Sequence, residues 1–301
     1  MTALSPAERN KYIGASEAAA LPGIGVSPYT TPFELFHIKA GDIPPDDLDG
    51  VERIQAGQFL EPGIAAWAAH KFGMQLRPVA EYRIHPSVQG MGASWDYEEA
   101  ANEDEAPPVE LKNVDGWQFK QNWDADGDVI LHAPLHILIQ VQHQLALRPK
   151  APHGWVVACV GGNELKRMMI PRHEKTITTL EESVANFWRD VKEGNEPDPD
   201  WEADASTIAK LYGAAGEDVV DMTGDVDLAN LALRYTRLKG DIKELDTKAR
   251  GIKSQILPLI GDAKKVLCDG ATISAGMVNK KEYTVQPSSY RNFRITKKKE
   301  K

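Results

Sequence analysis

Cysteine is almost missing from this chain: Cys159 and Cys268 are the two in 301 residues. They lie far apart and without metal-ligand spacing. That excludes a four-cysteine iron–sulfur or zinc site and suits a reducing compartment. Long apolar runs are missing as well. No stretch approaches a membrane span, and the opening Met1–Asn10 lacks the apolar core of a signal peptide, so a cytoplasmic protein away from membranes is expected. An excess of basic charge is the third absence. The formal net charge is −9, which argues against indiscriminate coating of nucleic acid.

That average conceals a segregation. Acids cluster at 96–105 and 196–204, whereas the segment from Arg291 to Lys301 carries six bases and one acid. With 42% hydrophobic and 26% charged residues, the composition is that of a globular protein long enough for one large domain or two modest ones.

No internal repeat is present. Up to about Gly194, helical and strand-like segments alternate. Short helices are expected at 16–22 and 32–40, around a Gly-Ile-Gly-Val-Ser-Pro-Tyr loop. A longer one is expected at 52–72, where Ile54, Leu60, Ile64, Trp67 and Phe72 form a stripe. Strands are expected at 81–85, 91–97 and 108–113, and a helix over 135–147. A hairpin over 155–170 should turn at Gly161-Gly162-Asn163, before a final helix over 176–192. This is an α/β pattern of helices on a mixed sheet.

Gly194–Asp200, with two prolines and repeated acids, reads as a linker. Beyond it Leu228, Leu231, Tyr235, Leu238, Ile242, Leu245, Ala249, Ile252, Ile256 and Leu259 follow an unbroken 3-4 alternation, the a/d seam of a heptad repeat. Gly240 and Gly251 lower its intrinsic helicity. A hairpin turning at Asp269-Gly270 and a basic tail follow. The expected division is therefore 1–200 and 201–301.

The chemistry concentrates at Val109-Glu110-Leu111-Lys112, preceded by Asp96. Side chains alternate along a strand, so Glu110 and Lys112 share one face while Val109 and Leu111 enter the core. An E-x-K triplet is common by chance. Joined to an acid from the preceding strand, it is a constellation suited to metal-dependent cleavage of phosphodiesters. Glu98, Glu99, Glu103, Asp104 and Glu105 follow Asp96 closely and are expected to be solvated. The eight histidines show no ligand spacing; His85, His136 and His143 read as ordinary polar or core residues.

The surrounding segments resemble the lambda-exonuclease/YqaJ-like viral recombinase family of the PD-(D/E)xK nuclease superfamily. They are similar to that family's motifs in its order. Arg9 with Gly14-Ala15-Ser16-Glu17 comes first, then Ser27-Pro28-Tyr29 with Thr31-Pro32-Phe33-Glu34-Leu35, then Gly57-Gln58-Phe59-Leu60-Glu61-Pro62. His85-Pro86 with Ala93-Ser94-Trp95-Asp96 and Glu110-Leu111-Lys112 follow, then Gln140-Val141-Gln142-His143-Gln144-Leu145, and last Asn186-Phe187-Trp188 with Pro197. Together they cover about two-thirds of the chain. One departure stands out: the family's Pro-Asp-Gly is replaced by Trp95-Asp96-Tyr97, which removes two turn-forming residues.

The resemblance implies a restriction-endonuclease-like core, a mixed sheet flanked by helices, with the heptad segment and hairpin appended. It implies a DNA exonuclease of phage or prophage recombination type in a bacterial host, digesting one strand of a duplex from an end, 5′ to 3′. Mg²⁺, or Mn²⁺ in its place, would be held by Asp96, Glu110, the Leu111 carbonyl and Glu61. Lys112 would orient or deprotonate the attacking water, and Gln140 would sit beside it. Arg9 and Ser16 would grip a terminal phosphate, a task suited to a forked guanidinium and a hydroxyl. The implied partners are double-stranded DNA ends, a single-strand annealing protein and further copies of the chain. Two other readings remain: an endonuclease of the same superfamily, and a non-catalytic DNA-end-binding or partner-recruiting protein with a decayed site.

Overall fold

The computed structural model describes residues 6–48, 50–100, 105–282, 284 and 290–295. It forms two compact units, Met1–Leu211 and Tyr212–Lys301. The first is built on a seven-stranded mixed sheet. Its strands are β1 (Leu76–Pro78), β4 (Tyr97–Glu99), β5 (Pro108–Val114), β6 (Asp124–Asp126), β7 (Val129–His132), β8 (His153–Val160) and β9 (Glu164–Pro171). Their spatial order is β1-β4-β5-β8-β9-β7-β6. The central pair β5–β8 is parallel, with Glu110 opposite Val156 and Lys112 opposite Ala158. A separate ribbon pairs β2 (Arg83–Ile84) with β3 (Gly92–Ala93).

Alternation along the two central strands divides the core into layers. Val109 and Leu111 of β5 join Val157 and Cys159 of β8 under Ile64, Ala65 and Ala68 of α3 (Glu52–Phe72). Val156 of β8 points the other way, into the cluster of α5 (Leu135–Ala146) and α6 (Glu174–Glu193). Burying both faces is what a parallel central pair requires. Gly154 is needed for the fit: a β-carbon there would lie 2.5 Å from Val141 Cγ1, so α5 packs on bare backbone. The short helices α1 (Pro6–Arg9), α4 (Gly116–Asn122) and α7 (Ala205–Leu211) also belong to this unit.

Several expectations change in detail. The helix expected at 16–22 shrinks to a 3-10 turn, Ala18–Ala20. The expected 52–72 helix is α3 residue for residue, and the 32–40 helix is α2 (Pro32–Ala40). The strand expected at 91–97 is broken, because the chain leaves β3 at Ala93 and bends at Asp96 before entering β4. Glu98 and Glu99 are not solvated loop acids. Glu98 is buried in β4 against Arg148 and, at 2.7 Å, Arg77, while Glu99 accepts from the Trp155 indole at 2.7 Å. Glu103 and Asp104 lie outside the described residues.

Residues 201–211 pack with the first unit rather than the second. Asp204 is buried, accepts a hydrogen bond from the Thr31 hydroxyl at the start of α2, and accepts another from the Asp200 amide at 2.8 Å. Lys210 of α7 reaches Asp46 at 2.9 Å. The second unit consists of α8 (Val226–Ile260) and the hairpin β10 (Lys265–Cys268) with β11 (Ala271–Ser274), which turns at Gly270 in the left-handed region. The Lys297–Lys299 cluster lies outside the described residues. Among the described residues no helix is long and apolar enough to cross a membrane.

His143 ties α5 to the ribbon. Fully buried, its Nε2 donates to the Gly92 carbonyl at 3.1 Å. Burial pushes its pKa down to about 4, more than the Gly92 carbonyl opposes. The unfolded ring takes its proton near 6.5, so unfolding is accompanied by proton uptake between these values and stability falls as pH drops through them. The loss expected from this one ring is about 3 kcal/mol between pH 7 and 4. All seven tryptophans precede Leu211, so indole fluorescence reports the first unit alone. In urea titrations followed this way, His143→Gln should be less stable at pH 7 but lose less stability than the parent on acidification. Equal pH slopes would show that the buried imidazole is not the sensor.

Candidate active site

Glu110 is the centre of the site. The residue is 5% exposed, and its carboxylate is held by three donors. Oε1 accepts from Lys112 Nζ and from Gln140 Nε2, each at 2.7 Å, and Oε2 accepts from Gln144 Nε2 at 2.7 Å. Lys112 Nζ also donates to Gln140 Oε1 at 3.2 Å. Glu110 and Lys112 share a strand face, while Gln140 and Gln144 share a helix face one turn apart. The contact is therefore between one face of β5 and one face of α5. Gln142 points elsewhere. It donates to the Pro171 carbonyl and accepts from the His173 amide, fastening α5 to the start of α6.

Asp96 arrives from the bend before β4. Its Oδ2 accepts from the Leu111 amide at 2.7 Å, and its own carbonyl accepts from the Val79 amide at 3.1 Å. The unusual flanking residues each have a place. Trp95 is buried, with the guanidiniums of Arg148 and Arg83 5.3 and 5.7 Å from its ring, so an anchored indole replaces the missing proline. Tyr97 pairs with Val109 in the ladder, and its phenol pKa is raised by burial, Glu61 and Asp96.

Three carboxyls therefore meet one lysine. Burial first, then the Glu110 charge, pushes the Asp96 carboxyl up to about 8, against the pull of the Leu111 amide. Glu61, half-buried on α3, is raised by burial and Glu110, with Lys112 opposing. Burial works against the charge of Lys112, but Glu110 more than offsets it, and the net shift is upward. Burial and the Glu110 charge thus favour the neutral form of Asp96, while Glu110 favours the charged form of Lys112.

A buried aspartic acid pushed towards its neutral form marks a surplus of carboxylates, and a divalent cation would offset that surplus. The donors are hard oxygens, as Mg²⁺ prefers. The residues fit such an ion, with Asp96 and Glu110 as the inner pair and Glu61 beside them. Among the described residues no three acidic, histidine or cysteine side chains already form a cage for a metal.

Arg9 and Ser16 are exposed. No described hydrogen bond or ion pair joins either to Asp96, Glu110 or Lys112. The loop between them is braced from beneath: Lys39, nearly buried, donates to the Tyr12 carbonyl at 2.8 Å and pairs with Glu17, which accepts from the Gly14 amide. Ser16 does not cap the following turn, whose N-cap position is Glu17.

Sequence reasoning missed three neighbours of the cluster. Gln144 was legible as the residue one helical turn after Gln140. His136 has its pKa lowered by burial and by Lys112, and its ring meets Tyr29 edge-on at 5.7 Å. Tyr29, largely exposed, acts electrostatically on Lys112. No spacing in the sequence joins position 29 to position 136.

Residues 7–149 match the YqaJ-like viral recombinase domain. The chain is similar to the uncharacterized protein YqaJ of Bacillus subtilis (strain 168), 27% identical over 263 residues, which span 85% of this chain and 77% of that protein. Among solved structures it is similar to an alkaline exonuclease (LHK-Exo) from Laribacter hongkongensis, at TM-score 0.45 and 16% identity, over 67% of this chain and 97% of that one. It is also similar to a phage-related exonuclease from Haemophilus somnus 129PT, at TM-score 0.44 and 11% identity, over 60% and 94%. The matched segment contains Asp96, Glu110, Lys112 and both cluster glutamines, so the part of the chain that carries the site is similar to the YqaJ-like viral recombinase domain.

Proposed function

We propose that this protein is a divalent-metal-dependent deoxyribonuclease that digests one strand of duplex DNA from an end, 5′ to 3′, and leaves a single-stranded tail. The observation that carries this reading is the Asp96–Glu110–Lys112 cluster, in which Lys112 is held 2.7 Å from Glu110 and 3.2 Å from Gln140. The match of residues 7–149 to the YqaJ-like viral recombinase domain supports it. Mg²⁺, or Mn²⁺ in its place, would neutralise charge on the attacked phosphate and lower the pKa of a bound water. Asp96, Glu110, the Leu111 carbonyl and Glu61 would hold it.

The chain's own residues supply the rest. Hydrolysis forms a bond from water oxygen to phosphorus and breaks the bond to the leaving sugar oxygen, which takes up a proton. Lys112, kept cationic by Glu110, is suited to donating to a phosphate oxygen as charge builds there, and poorly suited to removing a proton from water. Gln140 bridges Glu110 and Lys112 and sets their relative positions. Gln144 touches only Glu110 in this group and fixes the direction of its second oxygen. Arg9 and Ser16, on the braced loop, would meet the terminal phosphate. A single-strand annealing protein would receive the tail, and the enzyme would act as a homo-oligomer. Catalysis would lie wholly within Met1–Leu211.

On end-labelled linear duplex, Asp96→Asn, Glu110→Gln and Lys112→Met should each slow cleavage by about 10³-fold or more, because charge compensation dominates this chemistry. Cleavage that persists undiminished in EDTA, or in all three variants, would point to the decayed-site alternative or to a contaminating nuclease.

Gln144→Leu strands one buried oxygen of Glu110, a cost of about 1–3 kcal/mol. It should lower cleavage by roughly ten-fold or more and weaken Mg²⁺ binding measured by calorimetry. Unchanged metal affinity would remove Gln144 from the positioning role. Arg9→Ala should slow digestion of 5′-phosphorylated ends far more than 5′-hydroxyl ends, since a charge-assisted contact is lost only with the former. Equal slowing on both would reduce Arg9 to a general backbone contact.

A further inference from the structure

α8 is a 35-residue helix that buries none of its residues. At 1.5 Å per residue it is about 52 Å long. Leu238, Ile242 and Leu245, at the centre of its heptad seam, are each more than half exposed. Its helix-weakening residues all stand off the seam: Gly240, Gly251 and Pro258 fall at outward heptad positions. Within its own unit the described ring contact to the seam is Phe293 against Tyr235, edge-on at 5.5 Å, near one end. Such a continuous apolar stripe needs a covering surface.

We infer that the occupant is a second copy of the same helix, and that the two run antiparallel. The charges beside the seam decide the orientation. In a parallel pair in register, each residue preceding an a position faces the e residue five further along on the other helix. Arg234 would then meet Lys239, Asp241 would meet Asp246, and Lys248 would meet Lys253. All three pairs are like-charged, and two-fold symmetry repeats each of them.

The antiparallel arrangement reverses this. With Ile242 opposite Leu245 of the partner subunit, every a residue lies level with a d residue. Leu238 then meets the partner's Ala249 and Tyr235 meets the partner's Ile252, so a small residue faces a large one and the seam is filled from Leu228 to Leu259. The flanking pairs become Lys239 with the partner's Asp246 and Asp241 with the partner's Lys248, each occurring twice by symmetry. Four opposite-charge pairs replace six like-charge ones. Lys248 now rests on Glu244 of its own helix at 2.6 Å, an exposed contact that leaves it free to turn to a partner. The helix is self-complementary in one orientation, as a two-fold interface must be. This inference is independent of the chemistry of the first unit.

The test uses the full chain, and light scattering should give about twice the 33.2 kDa chain mass. The double variant K239E/K248E places acids against Asp246 and Asp241 in the antiparallel pair. It should raise the dimer dissociation constant by about ten-fold or more, and adding D241K/D246K should restore the dimer. In a parallel pair the double variant would instead place acids against Arg234 and Lys253 and tighten association. A monomeric parent at tens of micromolar, an assembly indifferent to these charge changes, or tighter association of the double variant would overturn the proposal.

Discussion

A carboxylate can be buried only if its oxygens are paired, and Glu110 meets that condition with three side-chain donors from two elements. Much of the first unit is arranged around this requirement. Parallel pairing of β5 with β8 puts Glu110 deep within the sheet, and the bare backbone at Gly154 lets α5 come close enough for Gln140 and Gln144 to reach it. His143, between those glutamines, fixes the helix to the Gly92 carbonyl on the ribbon leading to Asp96. The acid pair and its supports are thus fastened to the same three elements.

The same arrangement accumulates like charge. Asp96 and Glu61 both have raised pKa values, with burial as the leading cause and Glu110 the next. A fold that needed only stability would have no reason to gather three carboxyls around one lysine, because buried ion pairs seldom stabilise more than apolar residues of the same volume. Strongly perturbed titratable groups in one cluster are a physical signature of functional sites. The buried Glu98, paired with Arg77 and Arg148, shows the contrast: its charge is matched by two guanidiniums, one of which, Arg148, also lies over Trp95, and it serves the architecture.

The Trp95-Asp96-Tyr97 segment shows how a bend can be held without a Pro–Asp–Gly turn. A Pro–Asp–Gly turn positions its acid by local backbone preference. Here the bend is set by tertiary contacts: an indole between two guanidiniums, and backbone amides at Val79 and Leu111 that grip the aspartate carbonyl and carboxylate. The constraint has moved from the local chain to the core, and Asp96 still faces Glu110.

Periodicity in the sequence was sufficient for α2, α3, α5, α6, the β8–β9 hairpin and α8, because each has a long stripe of its own. Alternation alone told that Glu110 and Lys112 share a face. Elements too short to carry a period, such as β1, β6, β7, α4 and α7, left no such trace, and the expected strand at 91–97 hid the bend that carries Asp96. Proximity was the other unknown. That Gln144 holds Glu110, that Tyr29 and His136 stand beside Lys112, and that Glu98 is buried are consequences of how α5, the loop after the first turn and β4 pack on one sheet. A linear chain determines the periods of its own elements; which side chains meet between elements is decided only when packing brings distant segments into contact.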